Sequence, residues 1–371
     1  MSAVKPAWRG TDVSVDDVLG HLHALRAGAA GPRSSVLDVI IIASDPAEAE
    51  RAAAAVEGLA MHHPCRAVVI VDEPGAGVSR IDATITELGG PGEGGTGPVH
   101  EQVILRVQGP AADHIPSLVD SLLVPDVATY LWWTGSPPLR AARFLAALEA
   151  ADVLLLDSAR FERPYESFSA LAEVAAAEVG TAFGDFHWTR LQPWREVLAQ
   201  FFNPSDRRGF LRGIGAVGID YIGEGRGNRS AAMLLAGWLG SALGWRLKTA
   251  AAGKGGIVAA QFASPGGSPV ELALRPVTME GFAAGEITGI RVDAVSEGQT
   301  CRVHALRDEV DNGHVLVEGE IHGSPFPRLV LAVPARGDEA MLSRLLVDAR
   351  SDRAYPRALQ LGAEILRSAR S

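Results

Sequence analysis

The spacing of apolar positions changes repeatedly along this chain, and each change marks a structural element. Over residues 14–27, Val15, Val18, Leu22 and Leu25 recur at helical spacing behind Ser14, a suitable N-cap, so a short amphipathic helix is predicted. Residues 36–45 (VLDVIIIASD) form a near-continuous aliphatic run rich in β-branched side chains, the pattern of a strand buried on both faces. Asp45-Pro46 opens an Ala-rich helix to about residue 62, and residues 66–74 (RAVVIVDEP) are a second buried strand. Strand, helix, strand in this order implies a right-handed crossover. Period-2 alternation over 79–88 and 101–109 predicts two more strands around the loop GGPGEGGTGP. A helix near 114–123, a strand at ATYLWWTG, a helix near 138–150 and a strand at DVLLLDSA complete the first half. That alternation favours an open, mostly parallel α/β sheet.

Residues 166–203 are expected to be helical. Pro193 suits a first helical turn, and Trp194, Val197, Leu198, Phe201 and Phe202 make one apolar face before Asn203-Pro204 ends it. The second half changes character. GAVGIDYIGE reads as a strand, and Ser230 is expected to cap a helix running to about residue 243, with Gly244 as its stop. Residues 245–335 then read as short strands separated by turns such as Asp311-Asn312-Gly313, and two helices close the chain near 338–350 and 355–369. The organisation expected is an N-terminal helical extension (1–35), an α/β domain with a Trp/Arg-rich helical segment (36–205), and a C-terminal α+β domain rich in antiparallel strands (206–371).

Composition narrows the function. The 371 residues are 47% hydrophobic and 21% charged, an ordinary globular balance, and the formal charge of −10 without a Lys/Arg cluster argues against nucleic acid. The N-terminus lacks the apolar core of a signal peptide, and the longest apolar stretch, 231–243, is broken by Gly237 and Gly240. A cytoplasmic protein without membrane contact is expected. Two cysteines, Cys65 and Cys301, exclude a disulfide framework but leave a single bridge open.

Three constellations invite a chemical reading. The loop Gly223–Ser230, with Gly225, Arg226, Gly227 and Ser230, resembles a phosphate cradle at a helix N-terminus, although it has neither the G-x-G-x-x-G nor the Walker spacing. A Gly-rich turn with a Ser cap explains the same residues, and Gly253-Lys254-Gly255-Gly256 reads as a hairpin turn. For metal, His62, His63 and Cys65 are an incomplete ligand set, and Cys301 and His304, three apart on a strand, face opposite ways. For catalysis, Asp157-Ser158, Asp185 and His187 follow strands, but no nucleophile elbow accompanies them. No metal, no cofactor and no catalytic residue are expected.

The aromatic residues are more specific. Trp132 and Trp133 are adjacent on a strand and must face opposite sides of the sheet. In HWTRLQPWREVL, Trp188 and Trp194 accompany Arg190 and Arg195. Such a block serves as a core staple, as a contact surface, or as both, since Trp and Arg are common interface anchors. HPCR at 63–66, EQVILRVQG at 101–109, LLVPDVATYLWWTGSPP at 122–138, ADVLLLDSARF at 151–161 and FHWTRLQPWREVLAQFF at 186–202 resemble the OpcA family of glucose-6-phosphate dehydrogenase assembly proteins, in the family's order. The resemblance implies a non-catalytic partner of that dehydrogenase, the first enzyme of the oxidative pentose phosphate pathway, with Trp132, Trp133, Trp188, Arg190, Trp194 and Arg195 as candidate contacts. In some photosynthetic bacteria the family is also linked to thioredoxin-dependent control, for which Cys65 and Cys301 offer no C-x-x-C pair. The alternative is a sugar-phosphate- or nucleotide-binding sensor or enzyme with a site in an α/β crevice.

Overall fold

The computed structural model describes residues 6–27, 36–59, 65–88, 100–124, 126–223, 228–308, 311, 313–333 and 336–370. The fold is mixed α/β with two sheets, one largely parallel and one largely antiparallel. The chain forms two compact units: Met1–Arg160, Ala177–Phe186 and Gly337–Arg350 make the first, and Phe161–Ala176, His187–Arg336 and Ser351–Ser371 the second. Residue 205, where the change in sequence pattern suggests a divide, lies within the second unit.

The first unit begins with β1 (Trp8–Gly10) and α1 (Val15–Ala27). Ser14 and Asp17 form a reciprocal cap on α1: the Asp17 amide donates to Ser14 Oγ at 3.2 Å, and the Ser14 amide donates to Asp17 Oδ2 at 2.9 Å. The buried runs follow as β2 (Leu37–Ala43), α2 (Pro46–Leu59) and β3 (Cys65–Glu73). Next come β4 (Arg80–Leu88), β5 (His100–Gln108), α3 (Ile115–Leu122), β6 (Ala128–Trp133), α4 (Ala142–Glu149) and β7 (Val153–Leu156). After α5 (Pro164–Ala177), most of which belongs to the second unit, β8 (Ala182–Asp185) completes the sheet.

The strand order is β1-β4-β5-β3-β2-β6-β7-β8. Six of these, from β5 to β8, run parallel, and at one edge β4 pairs antiparallel with both β5 and β1. Counted by their order in the chain, the parallel strands stand 3-2-1-4-5-6, the doubly wound arrangement of dinucleotide-binding folds, with its switch point between β2 and β6. Burial on both faces explains the unbroken aliphatic runs. Val39 and Ile41 sit in a core that includes the α2 alanines, and Trp132 and Trp133 point to opposite sides as the pleat requires. Trp132 stacks on Phe186 at 4.9 Å, and Trp133 meets the edge of Phe144 at 5.2 Å.

The continuous helical segment expected over 166–203 is not what forms, because β8 interrupts it. Gly184 helps a four-residue strand fit there: a Cβ would lie 2.7 Å from Leu155 Cδ2 and 3.1 Å from Leu345 Cδ2, so a larger residue would require those leucines to shift.

The second unit continues with α6 (Phe186–Arg190), α7 (Gln192–Phe202), α8 (Ser205–Arg208), β9 (Ile214–Ile222) and α9 (Ser230–Ala242). The strands β10 (Arg246–Ala252), β11 (Val258–Ala263), β12 (Pro269–Val277), β13 (Ile287–Ser296), β14 (Gln299–Arg307), β15 (His314–Ile321), β16 (Ser324–Pro325) and β17 (Leu329–Ala332) follow. Their order is β10-β11-β12-β9-β13-β14-β15-β16 with β17 also on β15, and β9–β12 is the parallel pair. Gly255 and Gly256 take positive φ between β10 and β11, the turn expected of that stretch. The chain then returns to the first unit with α10 (Asp338–Asp348), packed on α2, and ends in the second with α11 (Ala354–Ser368). α9 is buried on nearly every side, against β9 and α11, and its crossing with α11 is tight. A Cβ on Gly362 would meet the Met233 carbonyl at 2.7 Å, and one on Gly237 would clash with the Ala358 carbonyl.

Candidate functional site

Doubly wound sheets bind ligands in the crevice beyond the carboxyl ends of their strands, at the switch point. In the first unit that place is occupied by the chain's own side chains. The turn after β2 is Ala43-Ser44-Asp45-Pro46-Ala47-Glu48, without the glycines that let a backbone approach a pyrophosphate. Pro46 has no N–H to offer, and the Asp45 carboxylate accepts the Ala47 amide at 2.8 Å. Glu48, in the first turn of α2, turns its carboxylate to the end of β6. Thr134 Oγ1 donates to Glu48 Oε2 at 3.1 Å, and Arg160 Nη1 lies 2.8 Å from Glu48 Oε1. Arg160 also approaches Asp157 Oδ2 at 3.6 Å, so Asp157 belongs to an ion-pair network. The space left among Glu48, Thr134, Asp157, Arg160 and Asp338 is about 20 Å³, room for about one water. Asp185 is fully buried and accepts the Ser158 amide at 3.0 Å, fixing the turn after β7.

The second unit holds the tryptophan–arginine block, and its chemistry is that of a staple. Pro193 starts α7 and presents Trp194, Val197, Leu198, Phe201 and Phe202 to the core. Trp188 Nε1 donates to Asp352 Oδ2 at 2.7 Å, while Asp352 Oδ1 accepts the amides of Ala354 and Tyr355 at 2.8 and 3.1 Å and so caps α11. The Arg195 guanidinium covers the Trp188 ring at 3.5 Å and donates to the Trp188 carbonyl at 3.3 Å. Arg307 lies 5.7 Å over Trp194, and burial pushes its guanidinium below the ordinary arginine range. All four tryptophans offered as contacts are buried: Trp132 is 6% exposed, Trp133 8%, Trp188 3% and Trp194 2%. Arg190 and Arg195, each half-buried, are the members of that set that reach the surface.

Gly225, Arg226 and Gly227 of the expected phosphate loop lie outside the described residues, as do His62 and His63. Ser230 is the first residue of α9 and not its cap. The Asn228 side chain supplies the cap by accepting the Ser230 amide at 2.9 Å. Both cysteines are free and buried. Burial, with the Asp38 carboxylate adding to it, pushes the Cys65 thiol up to about 12, and burial raises Cys301 also. On β14, Cys301 turns to the core while His304 faces the other side, as the alternation requires. Among the described residues no group of three metal-ligating side chains converges, and no helix is long and apolar enough to cross a membrane.

The class is thus a two-unit α/β protein in which a doubly wound sheet carries a crevice closed by its own carboxylate. A family description, "Glucose-6-phosphate dehydrogenase subunit N-terminal domain", matches residues 56–173, and its companion C-terminal domain matches residues 181–359. The chain belongs to the OpcA family. It is 29% identical over 205 residues to an OxPP cycle protein OpcA of Synechocystis sp., which covers 54% of this chain and 42% of that protein. The protein of the same description from Nostoc punctiforme is 28% identical, over 54% and 43% of the two chains. The chain thus spans less than half the length of these curated relatives. Among solved structures, an NAD binding oxidoreductase from Klebsiella pneumoniae has a similar fold at 12% identity, covering 91% of this chain and 96% of that one, with a TM-score of 0.53.

Proposed function

We propose that this chain is a non-catalytic partner that binds glucose-6-phosphate dehydrogenase, supports its assembly and biases it toward its active state. The observation that carries the reading is the match of both family domains, described as subunit domains of that dehydrogenase, over residues 56–173 and 181–359. The crevice chemistry favours it over the enzyme reading. An anion entering the switch point would meet the Glu48 carboxylate and an α2 terminus already capped by Asp45. Arg190 and Arg195 are the contact residues on this reading, with Trp188 and Trp194 holding α6 and α7 in place beneath them, and Trp132 and Trp133 acting from within the first unit's core. A partner that prefers the active form by about 1–3 kcal/mol shifts activity by about 5–150-fold.

Reconstitution with the cognate dehydrogenase tests this. Co-elution and a raised kcat/KM are expected, and Arg190→Ala and Arg195→Ala should lower the activation with an unchanged melting temperature; an equal loss of stability would make those arginines structural. No association and unchanged kinetics, or a turnover reaction performed by the isolated chain, would overturn the proposal.

A further inference from the structure

The second unit contains a cavity of about 570 Å³ remote in sequence from the tryptophan–arginine block, in the size range of small-molecule sites (~300–1,000 Å³). Three chain segments bring a guanidinium to its wall. Arg163 immediately precedes α5, Arg229 immediately precedes α9, and Arg370 follows α11. Arg370 lies 4.1 Å over the ring of Tyr165, another lining residue, which orients one cation by stacking. Arg163, Arg229 and Arg370 make no ion pair with a described carboxylate, in contrast to Arg160, Arg275 and Arg302. The three guanidiniums give the wall one more positive charge than its two carboxylates offset, an excess that an anion would balance. Two carboxylates, Glu162 and Glu166, line the same space.

We infer that this cavity binds a phosphate ester of a hydroxyl-bearing metabolite, of sugar-phosphate or mononucleotide size. Guanidiniums match phosphate oxygens in bidentate geometry, so Arg163, Arg229 and Arg370 take the phosphate. Carboxylates accept and cannot donate, so Glu162 and Glu166 take ligand hydroxyls. Leu366 and Ala252 supply apolar wall for the carbon skeleton. The site lies outside the crevice where an α/β nucleotide site was expected, and it does not depend on the dehydrogenase.

The full chain alone is titrated by calorimetry and thermal shift with glucose 6-phosphate, adenosine monophosphate, glucose and inorganic phosphate. At least one ester should raise the melting temperature saturably, with glucose inert and inorganic phosphate weaker than the ester. Arg163→Gln and Arg229→Gln should each weaken ester binding about tenfold or more, the effect of losing a charged hydrogen bond. Should Arg229→Gln fold poorly, Glu166→Gln is the second variant, expected to weaken the ester and spare inorganic phosphate. No response to either ester, a response unchanged in the arginine variants, or inorganic phosphate binding as tightly as the esters would overturn the inference. All readouts use the isolated chain, so failure here leaves the dehydrogenase partnership standing, and the reverse holds too.

Discussion

Single residues decide between the chemical readings of this chain, and Cys65 shows how. It opens β3 beside Leu37 in the parallel ladder, buried, with the Asp38 carboxylate close enough to disfavour a thiolate. A thiol held near 12 is about 10⁻⁴ ionised near pH 8, so it is a poor nucleophile and a poor redox sensor. Native-state alkylation by iodoacetamide near pH 8 should therefore label Cys65 far more slowly than the unfolded chain, read by mass spectrometry; fast native labelling would contradict the burial. The same shift fixes a pH dependence. The folded state holds the proton more tightly than the unfolded one, so the contribution is complete below the unfolded value of 9.0 and is lost as pH rises from there toward about 12. The difference in stability between wild type and Cys65→Ala should shrink across that window by up to about 1.4 kcal/mol per pH unit, measured by urea denaturation at several pH values.

Among elements, the sharpest prediction concerns the α9–α11 crossing. Gly362 faces the Met233 carbonyl, where an added methyl would stand at 2.7 Å from a backbone atom that cannot rotate away. Gly362→Ala should cost about 1–3 kcal/mol in denaturant unfolding, although alanine is the better helix former by about 1 kcal/mol. A stabilised Gly362→Ala would show that the two helices do not approach this closely. Several elements are legible from sequence: β2 and β3 announce themselves as aliphatic runs, β6 as a short aromatic-rich apolar run, and α7 by the face from Trp194 to Phe202. β8 was not, because its four residues contain a glycine placed for Leu155 and Leu345, distant in sequence, and carry no local pattern of their own. β1 escaped for a related reason, since three residues paired to β4 make a strand only through that partner. At the start of α9 the Asn228 side chain, two residues ahead of Ser230, accepts the Ser230 amide, a bond that depends on the local turn and not on the helical pattern. The cavity residues Arg163, Arg229 and Arg370 have no shared motif and are joined only by folding.

For the molecule as a whole, an architecture associated with dinucleotide binding coexists with residues that oppose such a ligand, and this can be tested without the partner. A dinucleotide pyrophosphate at the switch point would stand within a few ångströms of the Glu48 carboxylate, and two like charges at 4 Å repel by about 4 kcal/mol at a protein-surface dielectric. It would also lose the backbone donors such a site uses, since Pro46 has none and Asp45 occupies that of Ala47. NADP titrated into a chain carrying Arg163→Gln and Arg229→Gln together, which weakens the second-unit cavity twice over, should give no saturable heat at concentrations where that cavity stays empty. Glu48→Gln alone should not create binding, because the charge is removed while the proline, the Asp45 cap and the closed volume of about 20 Å³ remain. Glu48→Gln should instead lower stability by about 1–3 kcal/mol, as Arg160 loses its shorter charged contact and keeps the longer one to Asp157. Saturable NADP binding that strengthens in Glu48→Gln would mean that the crevice is a working nucleotide site held shut by one carboxylate. The crevice would then bind a dinucleotide as doubly wound sheets do, and the partner-only reading would fail with it.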